Sequence, residues 1–250
     1  SDYLIMKFSI QEQSSSIVWV AAVNQMNLTP DWFKHYEILP SDDCDQASVA
    51  INNNSICCDF GWFEIISSDK KIHFKLAKNG LEQDFVDMVS SVISVMGTVK
   101  TYGLGMNTKI KFKVNSFEDY HKVGDELVPK SKLYEASKSG LIGNPDVHIG
   151  MARCRIAFEN AIHHNSDKEV KPIDDNKFLD TIYLDISGIS DKSTGMEYGV
   201  LFSYNHHIAS VKEQEIQFTE QLPDLLINNF VSDITNNRET AENIMRNILS

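Results

Sequence analysis

The sequence predicts an α+β fold, a mainly antiparallel sheet or sheets with helices packed on one face, in an order that permits two similar halves. Three observations carry this. The first sixty residues and the stretch beyond 147 hold short apolar, β-branched runs separated by polar turns, the pattern of strands. Residues 80–96 carry the strongest helical periodicity of the chain. The elements run strands, helix, strand, helix, loop, strands, helix, an order that gathers helices on one side of an antiparallel sheet.

Taken in order, "DYLIMKFSI" and "SIVWVAAVN" predict two strands, and the polar "QEQSS" between them predicts a hairpin turn. "LTPDWFKHY" predicts a short helix with Thr29 as N-cap and Pro30 at the first helical position, where its missing N–H costs nothing. "ASVAINN", "SICCDFGWFEIIS" and "KIHFKLAK" predict three further strands, with "SSDKK" as the last turn. In 80–96, Leu81, Phe85, Met88, Val89, Val92, Ile93 and Met96 form an apolar stripe opposite Glu82, Asp84, Asp87, Ser90 and Ser94. "VKTYGLGMNTKIKFKV" then reads as a long strand and "SFEDYHKVGDEL" as a helix capped by Ser116.

Residues 128–147 hold turn residues and few periodic apolar positions, and read as a connector between a half at 1–127 and a half at 148–250. Past it, "HIGMARCRIAFENAI", "FLDTIYLDISGI" and "MEYGVLFSYNHHI" predict a three-strand meander. The end, 221–250, predicts a helix with a stripe through Leu222, Leu225, Leu226, Asn229 or Phe230, and Ile234, bent or interrupted near "TNN" at 235–237.

With 250 residues, 42% hydrophobic and 23% charged, the chain fits one large domain or two intimately packed small ones. A formal net charge of -12 repels phosphate backbones and anionic membranes, which argues against wholesale nucleic-acid or membrane binding. The nearest approach to a basic patch is Lys100 with Lys109, Lys111 and Lys113; the last three alternate and would share one face of a strand. No run is long and apolar enough for a membrane span, and the start lacks the features of a secretory signal. Cys44, Cys57, Cys58 and Cys154 make no C-x-x-C spacing, so the expectation is reduced, mostly buried thiols in a cytoplasm.

Two histidine doublets, "NAIHHNS" at 160–166 and "SYNHHIA" at 203–209, are the nearest thing to a chemical motif. Neighbours on a strand point to opposite faces, so one of His163 and His164 and one of His206 and His207 could look into a common space. A metal there would recruit Glu159 and Asp185, with Asp180 and His148 also nearby, because zinc needs three or four ligands. The doublets fall beside polar turns, and the reading prefers exposed histidines to a metal site. "YGLGMN" at 102–107 lacks the third glycine and following helix of a dinucleotide cradle, so it reads as a bulge or close sheet packing. No nucleophile elbow, phosphate loop or H-E-x-x-H stretch occurs. "DWFKHY" offers Trp32, Phe33 and Tyr36 as an aromatic anchor, the residue class that dominates binding hot spots.

The strand pair, amphipathic helix and strand across 51–114 resemble a sporadically distributed family of uncharacterised bacterial proteins of about this size. Its members carry a pattern like G-L-R-Y-x-N-x-I at this strand; Gly103, Leu104 and Ile110 match it, while Gly105, Met106 and Thr108 depart from it. "FLDTIYLDIS" and "LLINNFVSDITNN" are similar to the family's closing strand and helix. The resemblance implies the fold and, through the family's patchy distribution, a mobile-element or phage-defence setting. It implies no activity.

The sequence thus predicts a non-enzymatic, cytoplasmic protein-binding or assembly subunit, self-associating or joined to other proteins, with no cofactor. The partner-facing candidates are Trp32, Phe33 and Tyr36, with Leu225, Leu226 and Phe230 on the terminal helix. One alternative is a metal-dependent hydrolase or nuclease using His163, His164, His206, His207, Glu159 and Asp185. Another is a small-molecule sensor.

Overall fold

The computed structural model describes residues 6–131, 149–159 and 178–250. Among these, nine strands form one antiparallel sheet: β1 (Phe8–Ala21), β2 (Ser48–Asn52), β3 (Ser55–Asp59), β4 (Phe63–Ser68), β5 (Lys71–Leu76), β6 (Thr101–Val114), β7 (Arg153–Glu159), β8 (Phe178–Asp191) and β9 (Met196–Ser210). Their spatial order is β2-β3-β4-β5-β1-β6-β9-β8-β7. Five α-helices accompany them: α1 (Pro30–His35), α2 (Ser41–Gln46), α3 (Glu82–Val95), α4 (Phe117–Leu127) and α5 (Glu215–Leu249). The fold is α+β, as the periodicities indicate.

Two successive units, β1 to α3 and β6 to α5, each run long strand, short helix or helices, antiparallel meander, helix. In each, the long strand pairs with the last strand of its meander, β1 with β5 and β6 with β9. The two long strands then pair with each other at the centre, and the pairing of β6 with β9 carries the one sheet across the boundary read at 128–147. The duplication is one of topology.

β1 corrects the hairpin expected at its position. "QEQSS" holds no Gly, Pro or Asn to supply a turn, and its residues pair in register with β6 through a single shift between Ile10 and Glu12. The polar residues are tolerated because, among the described residues, no helix packs on one face of the sheet. "SICCDFGWFEIIS" divides into β3 and β4, because Gly61 adopts φ +84°, a left-handed turn conformation that glycine reaches without penalty.

The other face of the sheet is packed. Ile17, Trp19, Ile65, Phe74 and Leu104 meet α3 and the first half of α5, while Ile110, Phe112, Ile186 and Phe202 meet α4 and its second half. α5 serves both clusters by four-residue spacing: Phe218, Leu222, Leu226 and Phe230, then Asn237, Ala241, Met245 and Leu249, all buried. At 35 residues it runs about 52 Å. It continues through Pro223 and is not interrupted at 235–237, because Thr235 Oγ1 donates back to the Val231 carbonyl (3.2 Å) and Asn237 is buried on the packed side.

A buried polar chain fixes α5 against the centre of the sheet. The Trp19 indole N–H donates to Thr101 Oγ1 (2.8 Å), which lies 2.7 Å from Thr219 Oγ1 on α5. No helix among the described residues is long and apolar enough to cross a membrane.

Candidate functional site

Three surfaces or clusters gather chemistry. The first is internal. Asp180 on β8 and His206 on β9 stand on the packed face, and α5 brings Asp233 over them. His206 Nε2 lies 2.6 Å from Asp180 Oδ1, and Nδ1 lies 2.5 Å from Asp233 Oδ2. Burial opposes an imidazolium, but the hydrogen bonds and charges of the two carboxylates outweigh it and push His206 up to about 9. At neutral pH the ring is therefore protonated, and both nitrogens donate. The side chains of His206, Asp180 and Asp233 are 3%, 1% and 11% exposed, so this acid–base cluster is closed to a reactant. It binds strand to helix.

The second is the uncovered face of the sheet. Lys109, Lys111 and Lys113 share it, as their alternation predicts, together with Ser14, Ser16, His73, Lys75, Asn107, Asn205 and His207. Gly103 and Gly105 lie on this face too. A Cβ at Gly103 would sit 3.4 Å from the His207 ring and one at Gly105 3.5 Å from Asn205 Oδ1, both ordinary contact distances beside side chains of β9. Around Ser14, Ser16, His73, Lys75, Asn107 and Lys109 the face forms a depression of about 200 Å³.

The third is the pair of sheet ends. β2 pairs only with β3 and β7 only with β8 among the described residues. Every residue of β2 is exposed, as are six of the seven in β7. Val49 (47%), Ile51 (72%), Ile156 (39%) and Phe158 (48%) point toward the helix side of the sheet but lie beyond the helices that would cover them. Exposed edges of this kind are what monomeric sheet proteins usually protect with charge, proline or bulges; β7 carries Arg153, Arg155 and Glu159, all on the face opposite Ile156 and Phe158.

The candidates named from sequence are distributed as follows. His206 is no exposed strand-end histidine: it lies within β9, buried, and is committed to Asp180 and Asp233. His207, its neighbour, faces the opposite side. Glu159 shares a row with His207 through Thr181, two strands away, and Asp185 takes Arg153 as partner at 2.7 Å. His163, His164, His148 and nearly all of the 128–147 connector lie outside the described residues. Among the described residues no three His, Cys, Asp or Glu side chains are arranged to hold a metal ion; Asp180, His206 and Asp233 meet, but the ring lies between the two carboxylates and gives each of them one nitrogen.

Of the aromatic anchor, Phe33 is fully buried against Phe60 and Trp32 is half-buried on the core, leaving Tyr36 as the exposed member at 47%. On α5, Leu226 and Phe230 are core residues and Leu225 packs against the core. These positions form the interior because α1 and α5 both turn their apolar stripes onto the sheet. Cys44 and Cys58 are buried, Cys57 and Cys154 half-buried, and all four are free thiols. Burial, helped by Cys57, pushes the Cys58 thiol up to about 11, which makes it unreactive.

No protein-family model matches the chain, and no curated protein matches its sequence.

Proposed function

We propose that the chain is a non-enzymatic protein-binding subunit that assembles with a second copy through β7. The observation that carries the reading is the composition of that bare edge. Placed antiparallel to its own copy about Ile156, β7 sets Arg153 opposite Glu159 twice on one face, and Cys154 opposite Phe158 with Ile156 against Ile156 on the other. Opposite charges and apolar pairs directly across two strands stabilise the pairing, each by roughly 0.2–1 kcal/mol. The added strand also satisfies the unpaired backbone groups of the edge.

The sealed state of Asp180, His206 and Asp233 supports the non-enzymatic side of the reading, since this acid–base cluster, the closest among the described residues, serves as an internal tie. A cytoplasmic location is supported by four free thiols. The resemblance of the sequence to the sporadic bacterial family supports a bacterial complex as its setting, and a mobile-element or phage-defence role within it. The test is the mass of the pure protein in solution, by light scattering across a concentration series, for the native chain and for Ile156→Lys. The reading expects a dimer that the substitution returns to a monomer.

A further inference from the structure

The depression on the uncovered sheet face is an independent feature. It lies where β5 ends at Leu76 while β1 continues past it, paired on that stretch with β6 alone. Its walls bring hydrogen-bond donors together: Ser14, Ser16 and Asn107, the last donating its Nδ2 to Ser16 Oγ at 3.4 Å, with His73, Lys75 and Lys109 around them. The Nε2 atom of His73 is shut off from solvent and has no hydrogen-bond partner. A buried ring nitrogen with no partner is rare, and His73 lines the depression, so a polar group that enters there can satisfy it.

The charge around it selects the ligand. Lys71, Lys75 and Lys109 all act on His73, opposed by Glu64, which is paired with Lys75 at 3.2 Å. Lys111, further along β6, is already neutralised by Glu12 at 2.5 Å. Burial first, and then these three ammonium groups, hold His73 below the usual histidine range, so at neutral pH its imidazole is uncharged and has one N–H to give. In a chain whose net charge is -12, this is a local excess of positive charge.

We infer that this depression is an oxyanion site for a phosphate group, with Lys75 and Lys109 supplying charge and His73 Nε2–H, Ser14, Ser16 and Asn107 supplying donors. At about 200 Å³ it holds a phosphate and not a whole nucleotide, since drug-sized ligands occupy roughly 300–1,000 Å³. The ligand is therefore inorganic phosphate, or the phosphate end of a monoester whose remainder lies on the open face. This assignment does not depend on pairing through β7.

The experiment is an NMR titration of the His73 ring protons with inorganic phosphate at pH 7 and low ionic strength, where charge pairing is least screened. The His73 signal is identified by its loss in His73→Gln. The expected result is a saturable shift and a rise in the titration midpoint of His73, weakened roughly tenfold or more in Lys75→Gln/Lys109→Gln. Both lysines are solvent-accessible, and a Lys122→Gln control, on α4, keeps native affinity. Sodium chloride at matched ionic strength should leave the signal in place. A nucleoside monophosphate that binds more tightly than phosphate identifies a monoester ligand; equal binding identifies the free anion. The inference is overturned if phosphate gives no saturable shift, if chloride reproduces it, or if the double lysine variant, still folded by circular dichroism, binds as the native chain does.

Discussion

Asp233 of α5 and His206 of β9 meet at 2.5 Å inside the protein, 27 residues apart in sequence, and Asp180 closes the other side of the same ring at 2.6 Å. The terminal helix is thereby tied to the sheet by a charged contact as well as by its apolar seam. Breaking a buried ion pair by removing one partner costs far more than removing a surface pair, because a charge is left behind without compensation. His206→Ala, which strands two carboxylates, should cost about 3–5 kcal/mol of unfolding free energy. Chemical denaturation of the variant measures it, and a loss below about 1 kcal/mol would show that the cluster contributes little.

The same cluster sets a pH dependence. His206 rises from an ordinary 6.5 to about 9 on folding, so the folded chain holds a proton that the unfolded chain releases between those values. Its contribution is complete below pH 6.5 and is lost as pH rises through 9, a change of about 3 kcal/mol. The burial-raised Cys58 thiol adds a further loss at still higher pH, so the comparison is made against His206→Gln. Denaturation midpoints of the native chain should fall between pH 7 and 9.5 while those of the variant stay nearly level.

Tyr204 carries the opposite kind of prediction. Its hydroxyl is buried with no hydrogen-bond partner, and burial holds the phenol well above its ordinary range. Removing an unsatisfied polar atom from an apolar site relieves a desolvation penalty. Tyr204→Phe should be neutral or stabilise by up to about 1 kcal/mol, read as an unchanged or higher melting temperature.

Thr101 is satisfied where Tyr204 is not. It accepts the Trp19 indole N–H at 2.8 Å and touches Thr219 of α5, so Thr101→Val keeps the shape and orphans a buried donor. The expected cost is about 1–3 kcal/mol. Calorimetric unfolding of this variant beside Tyr204→Phe separates the satisfied from the unsatisfied hydroxyl, since the two changes should move stability in opposite directions.

How much of this was legible in the sequence depends on the range of the interaction involved. α3 and α4 were, because an apolar stripe and a Ser116 cap are local signals, and the Ser116 hydroxyl does accept from the Asp119 N–H at 3.1 Å. So was the common face of Lys109, Lys111 and Lys113, which follows from the strand period. β1 was misread because polar residues in a long central strand look like a turn until its partners on both sides are known. Phe33, Leu226 and Phe230 could not be separated from surface anchors, since sequence shows that a stripe is apolar but not what lies against it. The doublet at 206–207 implied only that its two rings face opposite sides of a strand, and the reading of exposed histidines is overturned by the burial of His206. The doublet did not announce Asp233, which reaches His206 only through the docking of a helix whose position sequence spacing leaves open. The depression at His73 is less visible still, as it depends on β5 ending part-way along β1.

The central claim, that this chain works by pairing a bare strand edge with its own copy, is tested most directly by the solution mass of the native chain and of Ile156→Lys. The account predicts twice 28.3 kDa for the native chain at micromolar concentration and 28.3 kDa for the variant, with both equally folded. A native chain that stays at 28.3 kDa across the concentration series, or a dimer that survives the lysine, would contradict it.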